Sequence, residues 1–397
     1  MKSENSSRRY FGVVAFAVFL LVPSFDTILK YGGVIGIIAY FLVGTFLLML
    51  GNRFLLPVLQ AKLSEKQANI LAVITLLGLI AVVVIGYPLA NSGRFGGGSD
   101  ADEALITAAS ELLKGHYPYA QQTYLGNPIS PMPGAVLFAV PFVLTGIFPF
   151  QNIFWFIALF FAVRYFTASS ALSLGLMWLI LLLSPTVMWN FVTGSDYATN
   201  TIYVAILMLF LIKKTSDPSA VGWQRAVLAV MLGIGLSSRS NFLLLMPLLL
   251  SILAQVAGWR TAIKYLSISA ASFLLVSVPF WLYNPEGFTP LIAQGAKLKY
   301  VLDVLPFANF IVPGSAFLLS SVLALRDLPA DGGVFFRNCA IIQLFVLLFV
   351  CTLSSIKLGR PDLYFNQAGY GMFTLFFGVV GLWIMQFGTG ANTALEQ

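Results

Sequence analysis

Long apolar runs separated by short polar breaks recur along the chain from residue 10 to residue 387. They fall at about 10–27, 31–50, 69–90, 152–168, 171–189, 200–212, 226–238, 240–257, 262–283, 309–325, 338–356 and 368–387. In hydrocarbon every backbone polar group must be satisfied within its own segment, so runs of this kind predict membrane helices. A further run, 134–149, is short and holds Pro141 and Pro149, and is expected to dip into the membrane without crossing. The pattern therefore predicts an all-α polytopic membrane protein with about 12–13 hydrophobic helices. No polar stretch is long enough for a separate soluble domain, so residues 1–397 are read as a single transmembrane domain. The longest break, 91–133, is its one large loop.

Composition agrees: 59% of residues are hydrophobic and 9% charged, where a soluble domain carries about 25% charged residues. Charge placement adds sidedness. With the amino terminus in the cytoplasm and 134–149 not crossing, 14 of the 22 basic residues fall inside, against 6 of the 15 acidic ones. That asymmetry is what the positive-inside rule requires; a full crossing by 134–149 would swap every later loop and abolish it. The first run lacks a small-residue cleavage site and reads as an uncleaved helix. An integral protein of the plasma (inner) membrane is expected, with its polar loops extracytoplasmic. These are 91–133, 190–199, 284–308 and 357–367, with the short connection Ser237–Ser240. The net charge of +7 follows from this topology, and no nucleic-acid partner is expected.

The chemistry-bearing residues gather in those outer loops. Gly96-Gly97-Gly98-Ser99-Asp100-Ala101-Asp102-Glu103 places three acids within four residues. Ser99 and Asp102 have capping-box spacing, and Leu105, Ala108, Ala109 and Leu112 share one face of a helix ending near Gly115. Such a helix is expected to lie along the membrane surface. Two roles fit the acids, service to the helix dipole alone or a division of labour as base and orienter, and spacing leaves both open. Downstream, Tyr117, Tyr119 and Tyr124 with Pro118, Pro128, Pro131 and Pro133 predict a stiff aromatic loop suited to sugars.

The acidic pair, the surface helix, Leu112-Leu113-Lys114-Gly115-His116-Tyr117-Pro118-Tyr119 and the Pro-rich entry to the next apolar run resemble the GT-C superfamily of membrane glycosyltransferases. The likeness is greatest to its polyprenol-phosphate-sugar-dependent, mannosyltransferase-like branch. Leu183-Ser184-Pro185 before the loop with Asp196, and Gly233–Arg239 leading to Pro247, are also similar to that group. The resemblance implies that an Asp of the first large outer loop is the catalytic base, here Asp100 or Asp102. This chain departs from the pattern by placing the loop after its third apolar run and by having Ala104-Leu105 where a tyrosine is common.

Outer-face cations run against the positive-inside bias. Arg239 between two short runs, Lys297, Lys299, Lys357 and Arg360 are expected to hold a lipid-linked phosphate and its developing charge. Asp196 would orient an acceptor or pair with one of them, and Glu103, His116, Tyr117 and Tyr119 complete the expected substrate-binding set. Trp189, Trp281 and Tyr283 read as interfacial anchors. A single histidine rules out a His-based metal cluster, and Cys339 and Cys351, inside one apolar run, read as buried bystanders. No cofactor is required, although a divalent metal (Mg or Mn) is compatible with the acidic pair.

The expected function is an inverting glycosyltransferase. It would move a sugar from a polyprenyl-phosphate donor to a lipid, glycan or protein acceptor, with membrane lipids as its other partners. A transporter or lipid flippase predicts internal repeats and mid-membrane charges, and a polysaccharide polymerase or ligase relies on outer-loop arginines and a histidine; neither pattern is as well matched. A catalytically dead scaffold is the remaining alternative.

Overall fold

The computed structural model describes residues 2–92, 99–326 and 331–388, with side chains from residue 12 onward. Gly96–Gly98 lie outside the described residues. The helices are α1 (Lys2–Leu21), α2 (Phe25–Leu50), α3 (Leu56–Lys62), α4 (Glu65–Asn91), α5 (Ala101–Leu113), α6 (Pro133–Leu144), α7 (Gln151–Thr167), α8 (Ser170–Leu183) and α9 (Pro185–Thr193). They continue as α10 (Tyr197–Ser216), α11 (Gly222–Leu236), α12 (Met246–Ala257), α13 (Trp259–Tyr283), α14 (Thr289–Lys297), α15 (Lys299–Val304), α16 (Ala308–Arg326), α17 (Gly332–Leu358) and α18 (Gly371–Phe387). Among the described residues there is no strand, only an isolated bridge between Gln122 and Pro128. The protein is an all-α polytopic membrane protein.

Nine helical stretches among the described residues are long and apolar enough to cross a bilayer, ten with the bent pair α8–α9. The 12–13 expected apolar runs are all helical; the smaller number of long stretches has physical reasons. Gly12–Lys62 is one continuous helical stretch, yet a Leu21 methyl lies 2.8 Å from where a Cβ on Gly44 would sit. Twenty-three residues of straight helix would separate those positions by ~35 Å, so the chain doubles back. It does so at Pro23 and at Gly33, whose φ of 62° and ψ of −165° break the helix. α11 has 15 residues, about 22 Å of helix and short of the hydrocarbon thickness. α6, with 12 residues and Pro141 inside, is shorter still.

The run read as a span at 171–189 is broken. Ser184 is non-helical and Pro185 begins α9, which turns 87° away from α8. Proline cannot donate the next helical bond and pushes its predecessor out of the α region. Thr186, Trp189, Asn190 and Thr193 then fall on one face of α9 and line a cavity; Trp189 belongs to that wall, not only to a membrane interface.

The connections sort into two ends. At one, Glu65 accepts from the Ser170 backbone N–H (3.0 Å) and hydroxyl (2.5 Å) beside Arg164. There too Gln386 donates to Asn52 (3.1 Å), and Arg225 donates to the Lys214 and Asp217 carbonyls. The other end carries the acidic loop, and there Ser24 meets Ser184 (3.2 Å), Thr27 meets Thr186 (3.2 Å) and Asn366 donates to the Pro23 carbonyl (3.1 Å).

The acidic loop has its own small core. α5 buries Ala104, Leu105, Ala108 and Ala109 against Ala135, Val136 and Ala139 of α6, with Tyr119, Ile129 and Phe288 closing it. The apolar face of α5 is thus covered by protein, where a lipid-lying helix was expected. Burying Leu105 fully is worth about 2–3 kcal/mol. This packing holds the start of α5 at a set position at the head of the helices.

Both cysteines are buried, so engineered ones can report sidedness. A membrane-impermeant maleimide is expected to label Tyr124→Cys and Arg360→Cys from one side, and Lys62→Cys and Arg260→Cys from the other. Labelling of all four from the same side would overturn the two-ended arrangement.

Candidate functional site

The two acids that spacing leaves equivalent are separated by the fold. Asp100 ends the loop before α5 and lines a cavity of about 560 Å³. Its Oδ2 accepts from the Thr123 hydroxyl (2.6 Å) and the Asn127 amide (2.8 Å). Asp102 points into the wall instead. It is buried, and its Oδ2 accepts from the Tyr87 hydroxyl (2.5 Å) and the Asn91 amide (3.2 Å), both on α4. Gly194, left-handed at φ 69°, leaves room for it, since a Cβ there would sit 2.9 Å from the Asp102 Cβ. Burial raises the Asp102 carboxyl above its ordinary value, against the hydrogen bond from Tyr87. The expected capping box does not form: Asp100 is the N-cap residue without a side-chain cap bond, and Ser99 Oγ accepts from the Ala101 N–H (3.3 Å).

The cavity is walled by the start of α2, the start of α5, the 123–130 loop, α9, the end of α14 and the 361–369 segment. All but the first belong to loops or loop-flanking segments expected on the outer face. Lys297 and Lys30 are its cations. Lys297 Nζ donates to the Tyr197 hydroxyl (2.8 Å) and lies 5.2 Å from the Tyr370 ring centre and 5.5 Å from that of Tyr197. Hydroxyls of Thr27, Thr123 and Thr193, amides of Asn127, Asn190 and Gln367, and the rings of Trp189 and Tyr364 fill out the lining. A mixed surface of hydroxyls, amides and flat rings can bind a polyhydroxylated ligand edge-on and face-on.

Arg239 does not reach the cavity. It is buried, and its Nη2 donates to both Asp196 oxygens, Oδ1 at 2.6 Å and Oδ2 at 2.8 Å. Its plane lies 4.1 Å over the Tyr197 ring. Burial works most strongly against its charge, but Asp196, Tyr197 and Tyr370 together outweigh it and hold the guanidinium above its ordinary range. Asn200 donates to Asp196 (2.8 Å), the Tyr203 hydroxyl donates to Asn200 (2.6 Å), and Ser238 meets Tyr203. The fork expected to grip a phosphate is taken by Asp196, and Asp196 is taken by Arg239. The pair braces Tyr197, which in turn receives Lys297.

The remaining expected ligands lie elsewhere. Glu103 accepts from the Tyr124 backbone N–H (2.9 Å). His116 pairs with Glu111 (2.9 Å) at the surface. Tyr117 donates to the Phe280 carbonyl (3.2 Å) and packs on Tyr119 and Tyr283, while Tyr119 is buried against Phe280 and Phe288. These tyrosines bolt the loop to the end of α13 and are not part of the cavity lining. Lys299 lies over the ring of its neighbour Tyr300, Lys357 pairs with Asp303 (3.2 Å), and Arg360 is exposed and not part of the lining, which begins at its neighbour Pro361. Among the described residues no group of three or more His, Cys, Asp or Glu is placed to hold a metal.

Sequence reading missed Asp26 and Lys30, which line the cavity from the start of α2. The signal was present: two charges interrupt the apolar stretch 10–50, where ionisable residues are costly and mark sites. Thr123 and Asn127, the ligands of Asp100, carry no such signal. No protein-family model, curated protein or solved structure matches this chain.

Arg239→Ala strands a buried carboxylate and is expected to cost about 3–5 kcal/mol, seen as a lower unfolding midpoint in detergent. The double variant Asp196→Ala, Arg239→Ala should lose less than the sum of the singles. Strict additivity would show that the pair is not coupled. For Asp102, a raised carboxyl means the folded state holds its proton more tightly than the unfolded chain. That contribution is complete below the ordinary value of 3.8 and is lost as pH rises through the folded value. Asp102→Asn should therefore gain stability relative to the parent as pH rises above 3.8; a pH-independent difference would contradict it.

Proposed function

We propose that the protein is an inverting glycosyltransferase that uses a polyprenyl-phosphate-linked sugar, with Asp100 as general base and Lys297 as the cation for the leaving phosphate. The observation that carries this reading is that Asp100 and Lys297 line one cavity of about 560 Å³ at the loop end of a membrane bundle. Asp100 Oδ2 is anchored by Thr123 and Asn127, which leaves Oδ1 for an acceptor hydroxyl. In the step proposed, that hydroxyl gives its proton to Oδ1 as its oxygen attacks the anomeric carbon. The bond from that carbon to the phosphate oxygen breaks, and the electron pair leaves with the phosphate beside Lys297, so configuration inverts. Positioning and charge stabilisation supply most of the acceleration, with the base adding about 10²–10⁴-fold. No step requires a metal.

The positive-inside rule supports a cytoplasmic basic end and hence a cavity on the extracytoplasmic side; a plasma (inner) membrane is the location proposed. The acceptor is a lipid, glycan or protein reached from that side. A flippase or transporter would need its ionisable groups along a route through the membrane, whereas the charged residues of this cavity lie at its loop end.

The test is sugar transfer from a panel of polyprenyl-phosphate donors by purified protein. Asp100→Asn is expected to lose about 100-fold or more in turnover, and Lys297→Met to lose activity comparably. Asp102→Asn should remain within a few-fold of the parent. Full activity in Asp100→Asn would sink the assignment of the base.

A further inference from the structure

A third group in the cavity is left unexplained by this reading. Asp26 lines it from the first turn of α2, far along the chain from the acidic loop. A carboxylate in a helix's first turn complements the dipole, and that alone would leave it facing water. Here the segment is tied down on three sides. Ser24 meets Ser184, Thr27 meets Thr186, and the Asn366 amide donates to the Val22 and Pro23 carbonyls and to Asp26 Oδ1 (3.0 Å). The Thr27 hydroxyl reaches Oδ2 only at 3.4 Å. No lysine, arginine or histidine pairs with Asp26 among the described residues.

The other acids near the site have local explanations. Asp196 neutralises Arg239, Asp102 is held by α4, and Asp362 accepts from the Tyr364 N–H two residues on (3.3 Å), as a turn-forming Asp does. Asp26 has only neutral donors, the Asn366 amide, the distant Thr27 hydroxyl and backbone N–H groups of its own turn, and it still lines a cavity. A carboxylate there has acceptor capacity for about four hydrogen bonds. The chemistry that satisfies it without adding charge is a pair of neighbouring hydroxyls, as on a sugar ring.

We infer that Asp26 is a positioning residue that accepts hydrogen bonds from ring hydroxyls of the transferred sugar, on a wall separate from the base Asp100 and the cation Lys297. This rests on the donor proposed above. Asp26 would hold the ring so that its anomeric carbon faces the acceptor, and its contacts would select which sugar is carried.

The full-length protein in detergent is titrated with farnesyl phosphate, and with farnesyl phosphate carrying mannose, glucose, galactose or arabinose. Binding is followed by tryptophan emission, since Trp189 lines the cavity. At least one sugar-bearing lipid is expected to bind the parent about tenfold more tightly than farnesyl phosphate. Asp26→Asn should erase that increment while leaving farnesyl phosphate affinity unchanged; Lys297→Met should weaken both lipids. Should Asp26→Asn not fold, Asp26→Glu keeps the charge, displaces the carboxylate by one methylene and is expected to lose several-fold of the increment. An increment that survives in the Asp26 variants overturns the sugar contact and leaves the donor reading standing, as does a parent that binds all five lipids alike. A parent that binds none of them overturns the donor reading and the role of Asp26 together.

Discussion

The buried pair of Arg239 and Asp196 is the constraint on which the cavity depends. Two charges removed from water are costly, and one left alone is costlier still, so the segments that carry them are obliged to stay together. Asp196 precedes α10 and Arg239 follows α11, so the pair locks the loop ends of two helices. The rest is arranged on that lock. The guanidinium lies over Tyr197, whose hydroxyl receives Lys297 from α14, and Gln294 of α14 donates to Ser240 (2.8 Å), the residue after Arg239. A cation is thereby delivered to the cavity without being the cation that the apolar pattern made conspicuous.

The second determinant is the break at Ser184-Pro185. A straight continuation of α8 would carry residues 186–193 along its axis. The 87° turn lays α9 across the loop end, so its polar face becomes cavity wall. The corner at Pro23 and Gly33 is tied to the same place through Ser24–Ser184 and Thr27–Thr186. Kinks that lower the count of long membrane helices are thus the features that build the site.

Much of the candidate site was legible as location and little of it as contact. The outer loops named from charge asymmetry are the ones that converge, apart from the unnoticed start of α2. Which atoms face inward was not legible. Asp100 and Asp102 are two apart, on opposite sides of the start of a helix, and only the positions of α4 and of the 123–127 loop decide that one is buried and the other lines a cavity. Tyr117 and Tyr119 look like a ligand platform in sequence, yet an aromatic side chain packs as readily on Phe280 and Phe288 as on a sugar. Arg239 stands out in sequence as a costly charge, and its cost is met inside the protein by a residue 43 positions away.

By itself the sequence determined that this chain is a polytopic membrane protein with a basic end and an acid-bearing loop end. Hydropathy and net charge act locally, so each segment declares its own environment. Only the tertiary structure decided that Asp100, Lys297 and Asp26 line one cavity while Arg239, Asp102 and the loop tyrosines do not. A side chain's partner depends on what packs beside it, and in a bundle of kinked helices those neighbours come from other segments, 11 residues away for Asp102 and 340 for Asp26.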